Sequence, residues 1–140
     1  MHEDRQEGQI GVLLVDRQPL MRAALAVPLA TARGITILGA AGDATEALVL
    51  VATLAPDVVL LTADRGRGEV LATVARVVGA GRCRVVVLTL PASAPWADET
   101  LAAGAASHLP RDAPFAAIER ATRDAFAAAA TARAPAPAEA

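Results

Sequence analysis

The sequence predicts an α/β domain, an open parallel sheet of five strands with helices on both faces. Three observations predict it. Short apolar segments recur along the chain at Ile10–Val15, Ile35–Ala40, Val58–Leu61, Val85–Thr89 and Ser107–Leu109. Several are near-continuous apolar runs, the pattern of parallel strands covered on both sides. Segments with helical spacing separate them, and this alternation implies right-handed βαβ crossovers.

Taken in order, residues 1–9 (MHEDRQEGQ) are polar and read as a flexible leader before the first strand. A helix is expected over 20–32. Pro19 suits its first turn, and Pro28 inside it predicts a kink or an early end. In 44–54, Ala47, Leu48, Leu50, Val51 and Leu54 share one face. Asp43 can cap that helix, with Glu46 at the capping-box position. The run Val58–Leu61 passes into Thr62, with Asp64 two positions later. Pro95 suits the first turn of the fourth helix, and Trp96 is expected to cover its start or mark an interaction surface. In 114–130, Phe115, Ile118, Thr122 and Ala125 form a stripe, with Glu119, Arg120, Arg123 and Asp124 mainly opposite. One domain is therefore expected over 10–130. The segment 131–140, TARAPAPAEA, reads as a linker or tail.

Composition excludes several classes. A chain of 140 residues fits one domain. Aromatics are only 2% of it, so the core must be aliphatic. All 13 basic residues are Arg, the net charge is −2, and no basic block stands out. Such a chain has no electrostatic footprint for nucleic acid. One cysteine, Cys83, rules out an internal disulfide and suits a reducing compartment. No apolar run approaches the roughly 18 residues of a membrane span, and the acidic N-terminus is not a signal peptide. A cytoplasmic protein with no membrane partner is expected.

In open parallel sheets, sites form at the carboxyl ends of the strands near the switch in strand order. The residues there are Asp16, Arg17, Thr62, Asp64, Thr89 and Arg111. Together with IGVLLVDRQPLMRAAL, ILGAAGDATEAL, LAPDVVLLTAD, VVVLTL and LAAGAASHLPRDAPFAAIERA, they carry a resemblance. Over about residues 10–127 the chain resembles a response-regulator receiver domain of the NarL/FixJ type. The resemblance implies a CheY-like, flavodoxin-like sheet in the order 2-1-3-4-5.

It also implies a site, and the site departs from the family's pattern. Receivers pass phosphohistidine's phosphoryl group to a strand-end Asp. Two acidic residues after the first strand help hold Mg²⁺. A Thr or Ser after the fourth strand and a Lys after the fifth contact the phosphoryl oxygens. The transfer needs a carboxylate nucleophile and a metal to neutralise developing charge. Here Asp16 keeps the first acidic position, but Arg17 stands at the second. Thr62 stands at the phosphoacceptor position, Thr89 keeps the hydroxyl, and Arg111 replaces the Lys. His108 takes the aromatic switch position. The loop from Thr62 to Gly68 is about two residues shorter than usual and lacks its Met-Pro.

A Thr hydroxyl cannot form an acyl phosphate, and its pKa is too high for attack without a base. A cation at position 17 disfavours a hard divalent ion, which wants several oxygen ligands. Arg17 is expected to pair with Asp16 or Asp64 instead. The expected outcome is a degenerate receiver with no catalytic residues, no metal and no cofactor, Mg²⁺ binding being lost. It would act through protein contacts, as a homodimer or on an effector. Trp96, Leu101, Phe115 and Ile118 are the interface candidates. Any DNA contact would require an output domain beyond this chain. Two alternatives stand: a small-molecule sensor using the altered pocket, and a receiver phosphorylated on Asp64. His108 as a half-buried or surface ring is expected over His108 as a pH switch. A cobalamin-binding reading fails because Gln18 stands where that family's His would be, and DRQPLMR is not an FMN phosphate loop.

Overall fold

The computed structural model describes residues 8–63, 66–89 and 97–133, with side chains up to Ala129. Five strands form one parallel sheet in the order β2-β1-β3-β4-β5. The strands are β1 (Ile10–Val15), β2 (Ile35–Ala41), β3 (Val58–Ala63), β4 (Arg84–Thr89) and β5 (Ser107–Pro110). The helices are α1 (Pro19–Thr31), α2 (Ala44–Leu54), α3 (Arg67–Ala80), α4 (Ala97–Ala102) and α5 (Phe115–Arg133). The fold class and strand order are those the sequence implies.

The apolar runs work because alternate residues face opposite sides of the sheet. Leu13, Val15, Val59, Leu61, Val85 and Val87 pack under α2 and α3 through Ala47, Val51, Val70, Val74 and Val77. Val12, Leu14, Val58, Leu60, Val86 and Leu88 pack on the other face, under α1 and α5 through Leu29, Ile118 and Ala125. Each fully buried Val or Leu contributes roughly 1.5–3 kcal/mol relative to exposure. Ile118 is 3% exposed and belongs to this core, so it is withdrawn as an interface residue. With Thr122, Ala125 and Ala129 it forms the face that α5 buries on the sheet.

Local signals are mostly realised. The Asp43 side chain accepts the Glu46 N–H at 2.8 Å. The Glu46 carboxylate reaches back to the Gly42 N–H, also at 2.8 Å, one residue before the usual capping-box target. Pro19 opens α1 as expected. Pro28 does not end that helix, which continues to Thr31. β3 runs two residues past Leu61, so Thr62 lies within the strand rather than after it. Helix α5 continues to Arg133, beyond the 130 expected. Pro95 and Trp96 lie outside the described residues.

At the opposite, amino edge of the sheet, Asp57 ties three strands together. Its carboxylate accepts the Gly11 N–H at 2.8 Å. Its own N–H donates to the Gly11 carbonyl, and its carbonyl accepts the Arg84 N–H. Asp57→Ala strands the Gly11 donor and should cost about 1–2 kcal/mol. Urea denaturation measures this, and Asp57→Asn, which keeps an acceptor oxygen, should recover most of it.

Candidate functional site

The site sits where sheet topology puts it. After β1 the chain leaves through α1 toward one face, and after β3 it leaves through α3 toward the other. A crevice opens between the carboxyl ends of these neighbouring strands. It is lined by Asp16, Arg17, Asp43, Thr62, Glu69 and Thr73, among others.

Asp16 is its centre and is only 2% exposed. One carboxylate oxygen accepts the Gln18 N–H at 2.8 Å. The other accepts Arg111 Nη2, also at 2.8 Å. This ion pair joins the end of β1 to the residue after β5, and both side chains are buried, at 1% and 8% exposed. A buried carboxylate needs both a counter-charge and hydrogen bonds, and Asp16 has them. The Arg22 guanidinium adds a bond to the Asp16 carbonyl at 2.6 Å. Arg111 is anchored by its own N–H, which donates to the Thr89 carbonyl at 2.8 Å. Its Nε–H is buried without an acceptor.

This arrangement corrects one expectation. The partner of Asp16 is Arg111, and Arg17 is exposed at the rim of the crevice. Among the described residues Arg17 forms no ion pair. Position 17 is the second residue past the end of β1, and its side chain is exposed. Asp64, the other expected partner, lies outside the described residues.

Thr62 stands beside Asp16, one step beyond the pairing of Val15 with Leu61. It is 6% exposed, and its hydroxyl donates to the Val15 carbonyl at 2.9 Å. The hydroxyl is therefore engaged with backbone, and among the described residues no base is bonded to it. That bond satisfies a buried group and offers no activated nucleophile.

Thr89 and His108 form a second cluster with Thr100, which the sequence did not single out. Thr89 Oγ lies 2.7 Å from His108 Nε2. Thr100 Oγ lies 2.8 Å from His108 Nδ1. Thr100 donates its own proton to the Ala97 carbonyl at 2.7 Å. Its oxygen must therefore accept from Nδ1–H, which leaves Nε2 to accept from Thr89. The tautomer follows from the direction of the chain of bonds. Burial holds the His108 pKa below its usual value, in keeping with a neutral ring. The Thr89 proton is thus directed to the ring.

Among the described residues the donor set does not fit Mg²⁺. The one buried carboxylate among the lining residues is occupied by a guanidinium and a backbone N–H. Among the described residues no three His, Cys, Asp or Glu side chains come together as a metal cluster. Hard divalent ions need such an oxygen-rich set. The crevice also holds about 70 Å³ of space, well short of the roughly 300 Å³ at which small-molecule pockets begin. Asp43 and Glu69 on its wall further disfavour an anionic guest.

Of the residues singled out in the sequence, Asp16 and Arg111 meet directly, with Thr62 beside them and Thr89 one bond away. Gln18, Arg22 and Thr100 were missed. Arg22 had a signal: it lies one helical turn after Gln18 at the start of α1. Thr100 had none, since nothing in the sequence relates it to a ring eight residues away. Among the interface candidates, Leu101 is 44% exposed, and Phe115 is partly buried against the core.

No family model matches the sequence, and neither does any curated protein. Solved structures do match. The signal receiver domain of the response regulator NarL from Mycobacterium tuberculosis is 26% identical, with a TM-score of 0.76 over 85% of this chain and 97% of that one. A LuxR-family two-component response regulator from Aurantimonas sp. SI85-9A1 is 21% identical, with a TM-score of 0.77 over 86% of each chain. The CheX–CheY–BeF₃–Mg²⁺ complex from Borrelia burgdorferi matches at 18% identity and a TM-score of 0.71, over 84% of this chain and 89% of that one. The chain has the fold of the response-regulator receiver domains that are its structural neighbours.

Proposed function

We propose that this chain is a signalling receiver domain that works without accepting a phosphoryl group and acts through contacts with other proteins. The observation that carries the reading is the buried pair of Asp16 and Arg111. Arg111 places a permanent cation on the carboxylate that would otherwise help hold a metal, and it cannot leave as an ion can. With Thr62 bonded to backbone and Arg17 turned outward, the described residues offer neither an activated nucleophile nor a set of metal ligands, which supports the reading. No enzymatic step can be assembled from these residues.

The neighbour from Borrelia burgdorferi is a complex of a receiver with a second protein, which supports protein contact as the mode of action. Leu101 on α4, at 44% exposed, with Phe115 at the start of α5, marks the surface proposed for a homodimer or an effector. DNA would be reached only through an output domain beyond this chain. No helix among the described residues is long and apolar enough to cross a membrane, and the proposed setting is the cytoplasm. The crevice's size and acidic wall weigh against a small-molecule sensor. Phosphorylation on Asp64 is the rival reading.

Sedimentation and thermal melting test this together. The expected result is an association state unchanged by Mg²⁺ and acetyl phosphate, weakened by Leu101→Asp, and a melting temperature that Mg²⁺ does not raise. A Mg²⁺-dependent rise would mean that the metal binds the folded state and would contradict the reading.

A further inference from the structure

The sheet has two edges, and they are built differently. β5 has four residues and ends in Pro110. A short edge strand that ends in proline discourages further pairing. β2 has seven residues, ITILGAA, with no charge and no proline. Short length, charge and proline are the usual guards of an edge, and β2 has none of the three. Ala40 is exposed, and Thr36, Ile37, Leu38 and Gly39 are half-buried.

Backbone phase shows which groups this edge offers. A residue in a parallel strand turns its N–H and C=O toward one neighbour, and the next residue turns them away. The Gly34 carbonyl accepts the Ile10 N–H at 2.7 Å, and the Ala41 carbonyl accepts the Asp16 N–H at 3.0 Å. Steps of two from these ends put Thr36 and Gly39 toward β1. Ile37 and Ala40 therefore turn outward, and the register shift at Leu38 joins the two phases. Among the described residues no second strand lies on this side of β2 to meet them.

Charge selects the occupant. Exposed Arg33 precedes β2 and exposed Asp43 follows it, and the residues between them are uncharged. Among the described residues neither Arg33 nor Asp43 forms an ion pair. A complementary strand is uncharged, with an acid at the Arg33 end and a base at the Asp43 end. β2 itself, reversed, is such a strand. Setting Ile37 of one copy against Ala40 of another also sets Ala40 against Ile37. It brings each Arg33 within one position of the other copy's Asp43. Parallel pairing would instead set like charges side by side.

We propose that β2 pairs antiparallel with β2 of a second copy, about a two-fold axis between Leu38 and Gly39, so that two sheets become one. The paired Ile37 and Ala40 residues exchange their N–H···O bonds across the axis. The irregularity at Leu38 lies at the axis in both copies and pins the register. A two-fold contact closes at two copies. This extends the reading as an interaction module to a face other than the Leu101 surface.

Sedimentation equilibrium of the full chain tests the proposal, with Leu101→Asp as the starting protein so that the Leu101 surface contributes nothing. That protein should still dimerise. Adding Ala40→Pro, which removes an outward N–H without touching the ladder to β1, should weaken the dimer at least about tenfold. Arg33→Glu sets an acid beside Asp43 and should also weaken it. Asp43→Asn, which keeps a capping side chain for α2, should recover part of that loss. The Ile37 and Ala40 amides should exchange with solvent more slowly in the dimer than in the diluted monomer. If Ala40→Pro fails to fold, Arg33→Glu and the amides decide. A monomeric Leu101→Asp protein would overturn the proposal and leave the Leu101 surface standing. A dimer indifferent to Arg33→Glu, or amide exchange unchanged by dilution, would also overturn it. Association equal in wild type and Leu101→Asp, yet lost with Arg33→Glu, would support this edge and remove the Leu101 surface.

Discussion

Arg111→Met should destabilise the domain by about 3–5 kcal/mol, the loss usual when one partner of a buried ion pair is removed. Among the described residues the Asp16 carboxylate would keep the Gln18 N–H alone, with almost no access to water. Asp16→Leu should be similarly costly, since it strands a guanidinium that is 8% exposed. The double variant Asp16→Leu, Arg111→Met removes both charges and keeps much of the volume. It should recover most of the loss, because buried pairs are often worth little against apolar replacements of similar size. Chemical denaturation of the four proteins forms a double-mutant cycle. A coupling near zero would show that the pair does not hold the site together.

His108→Phe should cost about 1–3 kcal/mol even though the ring is kept. The Thr89 hydroxyl is fully buried and loses its acceptor when Nε2 goes. Thr100 keeps its bond to the Ala97 carbonyl and suffers less. The pH dependence gives a second readout. Burial lowers the His108 pKa in the folded protein. Below the ordinary His value of about 6.5, the unfolded chain takes up a proton that the folded ring resists. Stability contributed by the neutral ring is therefore full above that value. It falls as the pH drops toward the folded pKa, where the folded ring titrates too. Urea melts from pH 8 downward should show this loss in the wild type, and the part due to His108 should be absent in His108→Phe. A loss of equal slope in both proteins would place the titration elsewhere.

The scaffold was legible because its signals are local and periodic. Two-sided apolar runs mark strands such as Val85–Thr89 wherever they occur, and the Asp43–Glu46 spacing announces the start of α2. Boundaries were less legible where composition does not change. Thr62 and Ala63 read as loop, yet they stay in β3 because β4 continues alongside them to Thr89. Pro28 removes one N–H without ending α1, since Leu29 beyond it is fully buried. Ile118 looked like a surface candidate because an apolar stripe in a sequence does not say which side it faces.

The site was legible in its membership and not in its pairing. Arg17 adjoins Asp16 in sequence, whereas Arg111 lies 95 positions away. Only the closing of β1, β3, β4 and β5 into one sheet brings Arg111 to the carboxylate. The Thr89–His108–Thr100 chain was hidden for the same reason, as it joins β4, β5 and α4. Burial in α1 was hidden in another way: Leu20 and Val27 look like ordinary core residues until exposure distinguishes them from Leu25 and Leu29.

We propose that the buried Asp16–Arg111 pair stands in place of phosphotransfer chemistry. Intact mass after incubation with Mg²⁺ and acetyl phosphate tests it most directly. The predicted result is an unchanged mass. A gain of one phosphoryl group that disappears in Asp64→Asn would contradict the account and restore a phosphorylated receiver.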